Sequence, residues 1–323
     1  MREQGMRAVG WFMPAEWCRH AATWMVWPHN KALWENGWGV TLSQVQQDFA
    51  RVVNAIARFE PVNLVVDPAA QAEARALCGD GVRFIPLPVD DSWCRDSGPT
   101  FICHPELGTA GISWRFNAWG GKFEAGRDDR LVEALAQQGL FGGAPRQRID
   151  FALEGGGIET DGDGTLLTTW HCLHERHPQA SREDLDARLR QWLAQDRVLW
   201  LDHGYLEGDD TDAHIDTLAR FAPGDAIVFQ ACDDPADSHH AELQAMAADI
   251  AALRTADGRP YRLFPLPWAR PIVDNGRRLA ASYANYLIIN GAVLIPAYGD
   301  RADDAAAAVL ALAYPGRDIV QVP

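Results

Sequence analysis

Asp96-Ser97-Gly98-Pro99-Thr100-Phe101-Ile102, followed by the run at 110–117, sets a polar residue ahead of a short strand, a turn with glycine and a second strand. The same layout returns in Glu154-Gly155-Gly156-Gly157-Ile158-Glu159 with 165–169, in His214-Ile215-Asp216-Thr217-Leu218-Ala219-Arg220 with 225–230, and in Ser282-Tyr283-Ala284-Asn285-Tyr286-Leu287-Ile288 with 292–297. The leading residues Asp96, Glu154, His214 and Ser282 are 58, 60 and 68 positions apart. Each interval also holds a helix and a further strand. Units of about 60 residues that bury their faces against neighbours form ring or propeller arrays, and such a ring brings the leading polar residues to one axis. Chance recurrence of glycine turns in an α/β sheet would give the same local pattern without the axis. In a five-unit ring another hairpin begins about 60 residues beyond Ser282. The strand at 23–27 has no hairpin partner of its own and could supply the other half of that unit.

Outward from these hairpins, apolar residues recur three and four apart over 41–59, 128–138, 181–194, 241–253 and 302–313, which predicts helices. Short β-rich runs at 23–27, 62–66, 83–86, 198–201, 261–265 and 318–322 lie between them. Alternating helices and strands indicate an α/β protein, and the lack of a Pro-, Gly- or Ser-rich linker indicates one domain over 1–323. The longest apolar stretches fall short of the roughly 20 residues that span a bilayer, and the first residues do not read as a secretory signal, so a cytoplasmic protein is expected. Six cysteines without metal-finger or redox spacing read as thiols in a reducing compartment. A net charge of −15 disfavours nucleic acid and anionic membranes as partners and favours cationic ligands.

Asp96, Glu154, His214 and Asp216 open the repeats. Carboxylates at the axis of a closed cavity are costly unless a cation or hydrogen-bond donors meet them. A guanidinium, whose N–H forks match carboxylates bidentately, is such a cation. Two aspartates could clamp it while the Glu and His handle protons. Attack on its central carbon needs a thiolate, an acid for the departing ammonia and a base for water, and His214 suits both proton roles.

Met13-Pro14-Ala15-Glu16-Trp17, Ala22-Thr23-Trp24-Met25-Val26-Trp27-Pro28-His29, Asp91-Ser92-Trp93-Cys94-Arg95-Asp96-Ser97-Gly98-Pro99-Thr100, Phe116-Asn117-Ala118-Trp119-Gly120-Gly121-Lys122, Leu153-Glu154-Gly155-Gly156, Gly208-Asp209-Asp210-Thr211-Asp212-Ala213-His214-Ile215-Asp216, Ser282-Tyr283-Ala284-Asn285 and Asn290-Gly291-Ala292-Val293 follow one another in an order that resembles the agmatine deiminase family nearly end to end. The resemblance implies a pentein α/β propeller of five pseudosymmetric ββαβ repeats, the fifth incomplete here. It implies that Asp96 and Asp216 hold the guanidinium, that Glu154 supports substrate and imidazole, and that His214 is general acid and base. Trp93, Trp119 and Asp210 would bind substrate, with Trp93 and Asp210 shaping the far end of the pocket. The implied reaction turns agmatine into N-carbamoylputrescine and ammonia through a cysteine thiouronium, in putrescine (polyamine) synthesis, with no metal or organic cofactor. The family's nucleophile lies in a Gly-Gly-Gly-x-x-His-Cys-like segment beyond 314–320. The chain ends at Pro323 without it, so a clipped sequence or a degraded family member is expected.

The sequence leaves other readings open. Cys94 could replace the nucleophile if 94–96 is a strand with both residues on one face, although it reads better as a small buried residue in place of an aliphatic one. Asp96 could pair with Arg95. The stretch 209–216 could take a divalent cation, and His171-Cys172-Leu173-His174-Glu175-Arg176-His177 has zinc-type ligands, although it reads better as a solvated loop entering a helix at Ser181. Gly155-Gly156-Gly157 follows neither phosphate-binding pattern and reads as a tight turn. Deimination of free or peptide-linked arginine competes with agmatine, an inactive guanidinium-binding or scaffold protein competes with an enzyme, and a homodimer is left open.

Overall fold

Val62–Val66 is Val-Asn-Leu-Val-Val, and all four of its apolar side chains are wholly shielded from water. Short runs of this kind suit strands covered on both faces. The computed structural model describes residues 6–323, and its strands fall into five three-stranded sheets and one two-stranded ribbon. The first sheet holds β1 (Thr23–Val26), β2 (Val62–Val66) and β3 (Val82–Pro86), all parallel. The second holds β4 (Thr100–His104), β5 (Gly108–Arg115) and β6 (Arg146–Ala152), and the third β7 (Glu159–Thr160), β8 (Thr165–Thr169) and β9 (Arg197–Leu201). The fourth holds β10 (Ala219–Ala222), β11 (Ala226–Gln230) and β12 (Arg262–Leu266). After the ribbon β13 (Val273–Asp274) and β14 (Arg277–Arg278) comes the fifth, β15 (Leu287–Ile289), β16 (Ala292–Pro296) and β17 (Asp318–Val322).

In the second to fifth sheets the first two strands form an antiparallel hairpin and the third returns parallel to the middle one. These are the four predicted repeats. Strand β1, expected as half of a fifth unit, pairs in parallel with β2, so its sheet has no hairpin among the described residues.

Helices form where the periodicity predicted them: Leu42–Ala57, capped by Thr41, joins β1 to β2, and Leu131–Gln137 behind a short 3₁₀ turn, Arg182–Trp192 with a Ser181 capping box, His240–Ala252 and Ala302–Ala313 make the returns to the third strands of the second to fifth sheets. The shorter Gln71–Leu77 went unpredicted, since seven residues give periodicity little room. Apolar clusters bridge neighbouring sheets. Val26, Ile85 and Leu131 join the first to the second, and Ile112, Ile149, Leu166 and Val198 the second to the third. Leu167, Leu201, Phe221 and Ile227 join the third to the fourth, and Val228, Leu266, Ile288 and Val293 the fourth to the fifth. Leu64, Ile289 and Leu294 then join the fifth back to the first. Each fully buried side chain of this size contributes about 1.5–3 kcal/mol. No helix among the described residues is long and apolar enough to cross a membrane.

Candidate active site

The polar leaders sit immediately before the first hairpin strand of their units. Asp96 lies in a helical turn, Cys94–Ser97, that Gly98 ends. Glu154 precedes the 3₁₀ turn Gly155–Gly157, and His214 precedes the 3₁₀ turn Ile215–Thr217 that carries Asp216. The three turns bring these residues together. His214 Nδ1 stands 3.8 Å from Asp96 Oδ1 and 4.0 Å from Asp216 Oδ1, and its Nε2 stands 3.6 Å from Glu154 Oε2. Ser282, the fourth leader, donates to the Thr217 carbonyl at 2.6 Å and so braces the turn from outside.

The glycine run is what permits this approach. A Cβ on Gly155 would fall 2.2 Å from the Arg95 carbonyl oxygen. One on Gly156 would fall 2.5 Å from His214 Nδ1, 2.8 Å from Asp96 Oδ1 and 2.9 Å from Asp216 Oδ2. Gly156 N–H also donates to Asp96 Oδ1 at 2.9 Å. Gly156→Ala should therefore leave the fold intact, because its backbone is one that alanine adopts, while lowering kcat/KM by about 100-fold or more through displacement of three site groups. Thermal melting beside steady-state kinetics checks this, and an alanine variant of normal activity would refute it.

Electrostatics set the protonation pattern. Burial opposes a charge on His214, but the Asp96 carboxylate, the Cys172 sulfur and Glu154 outweigh it and hold the imidazole well above its usual value. Burial likewise opposes charge on Glu154, yet His214 and Arg176 keep its carboxyl below the normal range. Burial, with Asp96 adding to it, pushes Asp216 up to about 6 against the pull of His214, Arg95 and Arg220. Asp216 Oδ1 has no hydrogen-bond partner among the described residues.

Two strained segments aim the surrounding side chains. Ala118 and Trp119 have φ of 51° and 56°, in the left-handed region, and the Trp119 indole donates to Asp96 Oδ2 at 3.0 Å. Asp212 and Ala213, both at φ 65°, lead into His214. Arg176 holds the second segment, donating to Glu154 Oε1 at 2.7 Å, Asp212 Oδ2 at 2.6 Å and the Thr211 carbonyl at 2.9 Å. Lys122 meets the same Asp212 at 2.7 Å. Sequence reasoning missed Arg176, because 171–177 read as a solvated loop. The chain is instead a helix, Trp170–Arg176, capped by Thr169, with Cys172, Leu173 and Arg176 buried. Burial at i, i+1 and i+4 was the available signal.

Above these groups opens a cavity of about 520 Å³ lined by Asp96, His214 and Asp216 together with Trp93, Trp119, Phe123, Asp91 and Asp210. Six of the seven predicted site residues line it, and Glu154 lies behind His214. Trp93 is 38% exposed and packs edge-on against Trp119, at 6.0 Å between ring centres. Its indole donates to Asp91 at 2.7 Å. Asp210 meets Arg277 at 3.1 Å. The two arginines in the wall are committed elsewhere: Arg95 to Glu16 at 2.9 and 3.0 Å, and Arg220 to Glu16 and Glu159, each at 2.7 Å. The floor keeps its negative character. None of the six cysteines lines the cavity.

Several alternatives fail on geometry. Asp96 does not pair with Arg95, whose fork is taken by Glu16. Residues 94–96 form a helical turn rather than a strand, so Cys94 turns into the apolar cluster of Val26, Val65 and Ile85, where burial pushes its thiol up to about 12. In 209–216, Asp209 accepts from Thr211 and Ala213, Asp210 meets Arg277, and Asp212 meets Lys122 and Arg176, so these oxygens are occupied by the chain itself. The histidines of 171–177 diverge, His174 stacking on Trp170 and His177 on Phe151.

The family model of the Porphyromonas-type peptidyl-arginine deiminases matches residues 12–323. An agmatine deiminase from Stutzerimonas stutzeri is 38% identical over 345 residues, covering 98% of this chain and 91% of the relative. A cysteine-to-serine variant of C. jejuni agmatine deiminase with substrate bound superposes with a TM-score of 0.88 at 30% identity, over 97% of this chain and 90% of that one. Agmatine deiminase of Enterococcus faecalis gives a TM-score of 0.90 at 28% identity, over 100% and 93%. The acidic, imidazole-bearing cavity and these likenesses agree, and the chain belongs to the Porphyromonas-type peptidyl-arginine deiminase family, with the agmatine deiminases, hydrolases of guanidino C–N bonds.

Proposed function

We propose that the protein deiminates agmatine to N-carbamoylputrescine and ammonia in the cytoplasm, as a step in putrescine synthesis, and that its five sheets make one pentein domain around a pseudo-fivefold axis. The observation that carries this reading is that Asp96 and Asp216 both reach the cavity floor beside His214, with Asp216 Oδ1 lacking a hydrogen-bond partner among the described residues. A guanidinium between them gains charge-assisted hydrogen bonds from both. Trp93, Trp119 and Phe123 flank the tetramethylene chain, and the terminal amine lies toward Asp91 and Asp210, which keep their bonds to Trp93 and Arg277.

A thiolate attacks the guanidinium carbon, and His214 gives a proton to the departing ammonia. His214 then takes a proton from the water that hydrolyses the thiouronium, which frees the thiol and leaves the carbamoyl product. Glu154 faces Nε2 as an ion-pair partner at 3.6 Å, so Nδ1 faces the substrate. None of the cysteines among the described residues lines the cavity, so the reading assigns the attacking thiolate to none of them. Incubating the full-length protein with agmatine, with arginine and with an arginine peptide, and measuring ammonia, tests the assignment. Release from agmatine alone supports it, whereas turnover of the peptide alone, or of none, removes it.

Substrate binding should also depend on pH. Below about 6 Asp216 takes up a proton, and the incoming cation must expel it, so affinity falls as pH falls. Calorimetric titration with agmatine should show Kd rising by up to about tenfold per pH unit below that point, and a flat profile down to pH 4.5 would contradict it.

A further inference from the structure

Behind His214, on the side away from the cavity, lies Cys172, in the helix Trp170–Arg176. One ligand atom each from Cys172, Glu154 and His214 lie within 4.8 Å of one another, and the reaction described above does not use the thiol. All three side chains are at least 98% buried. Two of the three atoms, Glu154 Oε2 and His214 Nε2, have no hydrogen-bond partner among the described residues. At 3.6 Å apart they stand beyond a good hydrogen bond, but close to the roughly 3.4 Å that separates two ligands of a tetrahedral zinc ion. Arg176 occupies only the other oxygen, Glu154 Oε1, and leaves Oε2 free.

We propose that Cys172, Glu154 and His214 form a binding site for one thiophilic divalent cation, of which Zn²⁺ is the type. Thiolate, imidazole and carboxylate are the donor set such ions prefer, and three protein ligands leave the fourth position to water. With Cys172 and Glu154 ionised and Arg176 alongside, the ligands bring one net negative charge to the dication. Binding expels the thiol proton and any proton on Nε2, so it strengthens with rising pH. The metal takes the nitrogen that Glu154 otherwise steadies, which removes His214 from proton transfer. This inhibitory consequence rests on the role proposed for His214, whereas the binding does not. Because the site is sealed, uptake is slow.

The test uses metal-free, reduced protein equilibrated overnight with Co²⁺ alone, then with Zn²⁺ as competitor. One equivalent of Co²⁺ should give a sulfur-to-cobalt charge-transfer band and the visible bands of a tetrahedral centre, and Zn²⁺ should bleach both. Cys172→Ser and Glu154→Gln should each weaken binding about 100-fold or more, whereas Cys94→Ser and Cys232→Ser should not. X-ray absorption on the unmutated zinc-loaded protein, which requires no variant to fold, should show one sulfur at about 2.3 Å and the remaining ligands at about 2.0 Å. No charge-transfer band, a band that survives in folded Cys172→Ser, or a zinc shell without sulfur overturns the site. Failure of Zn²⁺ to inhibit despite this signature would count against the proton role of His214 and not against the metal site.

Discussion

Arg220→Met is expected to destabilise the protein by about 3–5 kcal/mol, the usual penalty for removing one partner of a buried ion pair. Arg220 is 1% exposed, and its guanidinium donates to Glu159 Oε2, Glu16 Oε2 and the Tyr286 carbonyl, each at 2.7 Å. These partners come from the amino-terminal segment, the third sheet and the turn before the fifth, so one side chain ties three parts of the chain to the fourth sheet. Glu16 also binds Arg95 bidentately. Methionine fills most of the volume and leaves Glu159 buried without its cation. Even with Arg220 in place, burial pushes the Glu159 carboxyl up to about 7. Urea unfolding followed by tryptophan fluorescence checks the figure, and a loss below about 1 kcal/mol would mean that water or neighbouring groups already satisfy the carboxylates.

His214→Asn should lower the rate of ammonia release from agmatine by about 10³-fold, within the range for removing a general acid and base. Agmatine binding should hold or tighten in the same variant, because a positively charged ring has left the side of Asp96 and Asp216. Single-turnover kinetics with full-length protein, beside calorimetry, separates the two effects. Equal losses in rate and binding would make His214 a packing residue instead.

The repeats were legible because each hairpin carries its own local signature: a polar leader, a short strand and a glycine turn. The family resemblance then singled out Asp96, Glu154, His214 and Asp216, which the turns do bring together. The rest depended on contacts far apart in sequence. Glu16 and Arg220 are 204 positions apart, and no periodicity links them. Arg176 was hidden because Trp170–Arg176 is dense in histidine and charge, a composition that reads as solvated unless its partners Glu154 and Asp212 are known. Cys94 packs into the core as the reading of a small buried residue expects, whereas four residues cannot show whether they extend or coil, and there the following Gly98 and the packing of Cys94 decide for a helical turn. Helix ends such as Thr41 and Ser181 were accessible, since their side chains cap from within the local sequence.

In the proposed function Asp96 and Asp216 jointly receive one guanidinium. Calorimetric titration of the unmodified protein and of the Asp96→Asn/Asp216→Asn double variant with agmatine at pH 7.5 tests it most directly. One site per chain is expected in the former and an affinity about 100-fold or more weaker in the latter, since two charge-assisted pairs are lost. Equal affinity in both proteins, with the variant folded, would contradict it.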